Sequence, residues 1–320
     1  MKIVFLLLSF STYFSSLLDQ VRKDIINKAL LYLPKRDKID ILKLGNEMSK
    51  VKEEYSMNEE ESAYFIYKWI AQNIEPDCIG IMQGSSSAEA VTTYKEGKGG
   101  PIGISGLFNT LCSLLNIESN TILGLNKIAT LNYTQIIQFK GYAWNYILID
   151  NKYYLIDASL GGGYCGEKSF NKKQSDFYFG TNPEAFIRLH FPNDNKWQLL
   201  TEIISRDEFT SMAYLYEDFY SLGFKKISPD IQKLKKSDNV KIRLTNYNSI
   251  DDFFENYELT DMAQYEGEMP EIGFFIRVDK ISNGVYEFDY TVYNSGRYDI
   301  YVKNKKTGKS YHLLTFEAYK

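Results

Sequence analysis

The chain has 320 residues, 44% of them hydrophobic, which suggests two domains and excludes a largely disordered chain. A formal net charge of -4 offers no basic stripe and argues against a nucleic-acid partner. With two histidines (His190, His312) and three cysteines (Cys78, Cys112, Cys165) lacking CxxC spacing, a multi-histidine metal site and a zinc or redox cysteine motif are excluded, and no cofactor is expected.

Met1-Lys2 precedes the apolar run IVFLLLSF and then the small residues Ser15 and Ser16. This order reads as a secretory signal peptide over residues 1–17, so the chain is expected outside the cell. The alternative is a buried first helix of a cytoplasmic chain. The run is too short and too interrupted for a stable membrane span. In a secreted chain Asn132-Tyr133-Thr134 is a glycosylation sequon.

Apolar residues at helical spacing predict scaffold helices in LLDQVRKDIINKALLYL, broken at Pro34, and in IDILKLGNEMSKVKEEY. A third begins after Ser56 or Asn58, with Glu59 or Glu61 completing a capping box, and ends at Pro76. Trp69 is its core anchor. The small, polar stretch 80–100 predicts a loop. It delivers the chain to GKGGPIGISGLFNTLC, Gly97 to Cys112, where a glycine turn opens an apolar helix. A helix start of this kind offers unpaired N–H groups and the positive dipole end, a setting suited to a nucleophile. Cys112 lies well inside the helix and reads as a small buried hydrophobe; Ser105 reads as helix packing.

Alternation of apolar and polar residues then predicts strands in TQIIQFKGYAWNYILID and NKYYLIDASLG. Asp150-Asn151 is the turn between them, so they form an antiparallel pair. His190 falls in a segment that reads as packing. RDEFTSMAYLYEDFYSLGF looks helical, SPDIQKLKKSDN is a boundary loop, and DDFFENYELTDMAQYEGEMPE an acidic surface loop. Period-two segments from VKIRLTNY to SYHLLTFEAY predict a small all-β sandwich over 226–320, with His312 an ordinary strand residue.

Several motifs in this order resemble the transglutaminase-like (papain-like) superfamily, and within it the kyphoscoliosis peptidase/hillarin branch. They are Gly100-Pro101-Ile102-Gly103-Ile104, Tyr142-Ala143-Trp144-Asn145 and Leu155-Ile156-Asp157-Ala158. Around them stand Tyr67-Lys68-Trp69-Ile70, Asn182-Pro183-Glu184, His190-Phe191-Pro192 and Trp197-Gln198-Leu199-Leu200. The resemblance implies an α+β fold: a transglutaminase-like domain over 18–225, with a central helix packed on an antiparallel sheet, then an immunoglobulin-like β domain. It also implies a Cys–His–Asp site. Pro101 stands at the nucleophile position and Tyr142 at the base position; only the acid, Asp157, remains.

A Cys–His enzyme needs a thiolate and an imidazole to activate it. Proline offers no nucleophile, and a tyrosine of ordinary pKa about 10 is a poor base at neutral pH. Proline does suit the first helical position, so the backbone can persist without the chemistry. The expected remnant cleft comprises Gly100, Gly103, Trp144 and Asn145. Asp157 is expected to accept a hydrogen bond from the Tyr142 hydroxyl, and Trp144 to pack the sheet against the helix. Cys112 lies eleven residues beyond Pro101, about 16 Å along the helix, too far to substitute. A Cys78–Cys165 disulfide is conceivable in a secreted chain. The sequence thus points to an inactive protein-binding or structural module. The alternative is an active hydrolase or cross-linking enzyme using a displaced cysteine.

Overall fold

The computed structural model describes residues 18–128, 137–166, 169–246, 253–265 and 275–319. The expected signal peptide (1–17) and the sequon at Asn132 lie outside the described residues.

The N-terminal half is built on one core between helices and a sheet. Helices Ile41–Glu54 and Glu59–Asn73 pack on the central helix Pro101–Leu114, and helix Gln20–Ala29 packs on Glu59–Asn73. Asn58 accepts from the Glu61 amide while the Glu61 carboxylate accepts from the Asn58 amide, so the third helix starts on a reciprocal capping box. Every residue from Glu61 to Ala71 is buried, so this helix is enclosed on all sides. Ile26, Leu44, Met48, Phe65, Phe108 and Leu111 meet Ile147 and Ile156 of the sheet in a single apolar cluster.

Five strands form that sheet, in the order Phe179–Thr181, Lys152–Ile156, Ile137–Ile149, Ser119–Ile128, His190–Pro192, each antiparallel to its neighbour. Asp150 and Asn151 both take positive φ, 50° and 58°, the geometry of a tight two-residue hairpin turn. Gly141, at φ 75°, is the extra residue of a bulge where the register shifts between Gly124 and Leu125. Only glycine adopts that backbone without strain, and it stands immediately before Tyr142.

The C-terminal half is a β-sandwich. One sheet runs in the order Tyr214–Leu215, Ser310–Tyr319, Gly296–Asn304, Tyr257–Tyr265, Phe275–Ile276, and Lys233–Lys235 also pairs with Ser310–Tyr319. The other runs Phe224–Ser228, Asn239–Asn246, Val285–Thr291, Asp279–Ser282. Leu244 and Phe288 from one sheet and Ile300, Leu314 and Phe316 from the other share one apolar cluster, with Tyr290 edge-on to Phe316 at 5.1 Å.

Four expected segments differ in the structure. Helix Cys78–Gln83 runs into the expected loop 80–100, and helix Ala90–Glu96 lies within it. Asp77 caps the first, and left-handed Gly84 and Gly97 end them. The expected helix after Arg206 is broken into Arg206–Ser211 and Glu217–Ser221, because Tyr214–Leu215 leaves helical geometry to pair with Leu314–Thr315. The expected boundary loop carries Lys233–Lys235, paired in parallel with Glu317–Tyr319. The expected acidic loop carries helix Phe253–Asn256 and strand Tyr257–Tyr265, because Leu259 turns inward between Glu258 and Thr260 and joins the core. Ala213, Leu215, Phe219 and Tyr220 also belong to the sandwich core, ahead of residue 226 where the β domain was expected to begin.

Candidate functional site

Asp157 ends strand Lys152–Ile156 and caps the short helix Ala158–Gly162. Its Oδ1 accepts from the amides of Ser159 and Leu160, both at 2.9 Å. Its Oδ2 accepts from Tyr142 Oη at 2.9 Å and lies 2.8 Å from His190 Nε2. A carboxylate has about four lone-pair directions, so these four partners saturate it. The group is 1% exposed, His190 1% and Tyr142 5%: the cluster is sealed from solvent.

Tyr142 lies across the hairpin from Asp157. Burial, and then the adjacent carboxylate, push its hydroxyl well above the usual tyrosine value, so it stays a neutral donor. His190 arrives from strand His190–Pro192, which pairs with Ser119–Ile128 through Asn126. Its ring stacks on Phe186 at 3.9 Å and stands edge-on to Trp144 at 5.1 Å, and its Nδ1 is 3.2 Å from the Phe186 carbonyl. Both ring nitrogens therefore face oxygen. The sequence reading assigned His190 to packing and missed its place on the acid. That place depends on a strand pairing between distant segments; the signals in the sequence are the scarcity of histidine and the His190-Phe191-Pro192 motif, and neither names the partner.

Trp144 does not wedge the sheet against the central helix as expected. Its ring clusters with Ile122, Tyr142, Leu155 and Phe186. Adjacent strand residues point to opposite faces, so Asn145 is the one that meets the helix. Asn145 Nδ2 donates to Ser105 O at 3.1 Å and Asn109 Oδ1 at 3.0 Å. Ser105 Oγ in turn donates to the Trp144 carbonyl at 3.1 Å and lies 2.8 Å from Thr121 Oγ1. This buried network ties helix to sheet and leaves Ser105 without a base.

At the glycine turn, Gly100 is the N-cap and Pro101 the first helical residue, buried. A Cβ on Gly100 would meet Ser86 Oγ at 2.4 Å, and one on Gly103 would meet Thr93 Oγ1 at 2.2 Å and Ser87 O at 2.6 Å. The segment Ser86–Thr93 therefore sits directly on the helix start, and the glycines are what permit that approach. Cys78 and Cys165 are joined in a disulfide. Cys112 is buried and free, its thiol pushed up to about 12 by burial. His312 lies between Tyr216 and Tyr301, at 3.6 and 4.2 Å, with Nε2 3.1 Å from Asp299 Oδ1. Among the described residues no cluster of three or more His, Cys, Asp or Glu could hold a metal ion, and no helix is long and apolar enough to cross a membrane.

Residues 46–158 match the family model described as transglutaminase-like superfamily. Human kyphoscoliosis peptidase is 28% identical over 176 residues, 53% of this chain and 26% of that protein. The Caenorhabditis elegans Lim and transglutaminase domain protein ltd-1 is 23% identical over 158 residues, 43% of this chain and 22% of that protein. Drosophila melanogaster hillarin is 25% identical over 133 residues, covering 37% and 16%. The chain thus spans about a quarter or less of each of these relatives. Family match and relatives agree with the geometry of helix, hairpin and acid: residues 46–158 form a transglutaminase-like domain, similar to that of kyphoscoliosis peptidase.

Proposed function

We propose that this protein is a catalytically inactive transglutaminase-like module that binds or organises another protein. The observation that carries this reading is the state of Asp157. The acid that would orient a catalytic imidazole is saturated by Tyr142, His190 and two backbone amides inside a sealed cluster. Pro101 supplies no nucleophile at the turn, and the three cysteines offer none elsewhere: two are joined, and the third is a buried, protonated thiol. We also place the protein outside the cell. The N-terminal pattern of charge and apolar residues supports this, as does a disulfide, which persists in oxidising compartments.

The test joins a thiol-reactive probe to turnover assays on glutamine-donor and peptide substrates. The native protein is expected to show neither labelling nor turnover, with Cys112 reacting only after denaturation. Labelling of one native cysteine, with turnover abolished by its change to Ala, would overturn the reading.

A further inference from the structure

Lys127 is a buried lysine with no carboxylate of its own. It lies near the end of strand Ser119–Ile128, 1% exposed, where the transglutaminase-like unit meets the segment entering the sandwich. Its Nζ donates to the Met212 carbonyl at 2.9 Å and stands 4.5 Å from the centre of the Phe209 ring. The charged groups around it are otherwise engaged. Asp230 holds Arg188 through both carboxylate oxygens and also accepts from the Ala213 amide at 3.0 Å. Glu317 is 3.7 Å from Lys233. On the helix carrying Phe209, Glu208 caps through the Ser205 amide, while Arg206 and Asp207 are exposed. His190, on the neighbouring strand, lies on Asp157.

An ammonium needs three acceptors or a counter-ion when removed from water; a neutral amine is content with one acceptor and an apolar floor. Lys127 has one carbonyl and no carboxylate in contact; the Phe209 ring face favours the ammonium but does not replace the two missing acceptors. Burial, and then the like charge of Arg188, push it down to about 7, against the opposing pull of Asp230 and Glu317.

We propose that Lys127 makes the seam between the transglutaminase-like unit and residues 206–235 a pH-sensitive joint, closed when the amine is neutral and loosened when it is an ammonium. The sign follows from proton counting. An opened seam returns Lys127 to water and to an ordinary value of about 10.4, so the open form binds more protons than the closed one between about 7 and 10. Opening therefore becomes more favourable as pH falls through that window, by up to about tenfold per unit, and levels off below about 7.

Hydrogen exchange on the full chain reads this on the 206–235 side of the seam, at two amides bonded beside Met212: Ala213, which donates to Asp230, itself held across the seam by Arg188, and Gln232, which donates to Ser211 O at 2.6 Å. After correction for intrinsic rates, their protection is expected to fall at least tenfold from pH 9 to pH 7. Lys127→Met should keep both amides protected at both pH values. Lys127→Arg, which stays charged, should leave them as open at pH 9 as the native protein is at pH 7. Unchanged protection in the native protein overturns the proposal, and that measurement stands even if a variant fails to fold. An equal pH effect in Lys127→Met overturns it too, by assigning the titration to another group.

Discussion

At Asp157, four donors converge on one buried carboxylate, and the strength of that arrangement lies in what its loss would strand. Asp157→Ala leaves two helix-start amides, a tyrosine hydroxyl and an imidazole N–H without acceptors at a site water does not reach. The expected loss is about 3–5 kcal/mol, since hydrogen bonds to charged groups contribute about 1.5–3 kcal/mol each and these are not additive. Asp157→Asn should lose less. Its carbonyl can still accept from Ser159 and Leu160, and its amide can donate to the Tyr142 oxygen and to an unprotonated His190 nitrogen. Tyr142→Phe removes a single donor and should cost about 1 kcal/mol. Urea unfolding of the three variants checks the order Ala, Asn, Phe from most to least damaging. A loss under 1 kcal/mol for Asp157→Ala would show that the cluster does not hold the fold together.

Between elements, the disulfide does what packing does not. It joins helix Cys78–Gln83, one helix ahead of the glycine turn, to strand Gly163–Cys165, just beyond the acid, across 87 residues. Closing a loop that long restricts the unfolded chain, and typical disulfides contribute about 2–4 kcal/mol. Reduction, or Cys78→Ser with Cys165→Ser, should lower the urea midpoint accordingly and raise exchange in the paired strands Gly163–Cys165 and Phe170–Lys172 without unfolding the central helix. An unchanged midpoint would sink this.

The elements visible in the sequence were those specified by near neighbours. The capping box needs residues three apart, the Asp150-Asn151 turn needs two, and Tyr142 and Asp157 flank one hairpin. What stayed hidden depended on distant partners. Tyr214–Leu215 is a strand only because Leu314–Thr315 is there to pair with it, and Tyr257–Tyr265 only because Gly296–Asn304 is. Otherwise propensity favours helix in the first case and an acidic loop in the second. His190 is hidden for the same reason: its partner strand lies more than sixty residues upstream.

For the molecule as a whole, the question is whether two cores unfold as one. The Arg188–Asp230 pair bears on this directly. Arg188 follows helix Pro183–Phe186 of the transglutaminase-like unit, and its guanidinium grips Asp230 while donating to the Ala213 carbonyl at 3.0 Å. Phe177 stacks on Tyr220 at 5.4 Å along the same seam, and Lys173 and Ser175 both reach Glu217. The segment from Ala213 to Glu217 is thus held by the first unit on one side. On the other it pairs with strand Ser310–Tyr319. A linker clamped from both sides transmits destabilisation, so calorimetry of the native chain should show one transition. Asp230→Ala strands a guanidinium that is 8% exposed and an amide beside it. Losing one partner of a buried pair costs about 3–5 kcal/mol, and less here because Asp230 is itself 35% exposed. The expected result is a loss of about 1–3 kcal/mol that moves the whole transition to lower temperature. Adding Arg188→Met should recover part of it, because the buried charge then leaves with its partner. Two separate transitions, with only the sandwich affected by Asp230→Ala, would show that the cores fold independently and that the seam is a contact rather than a joint.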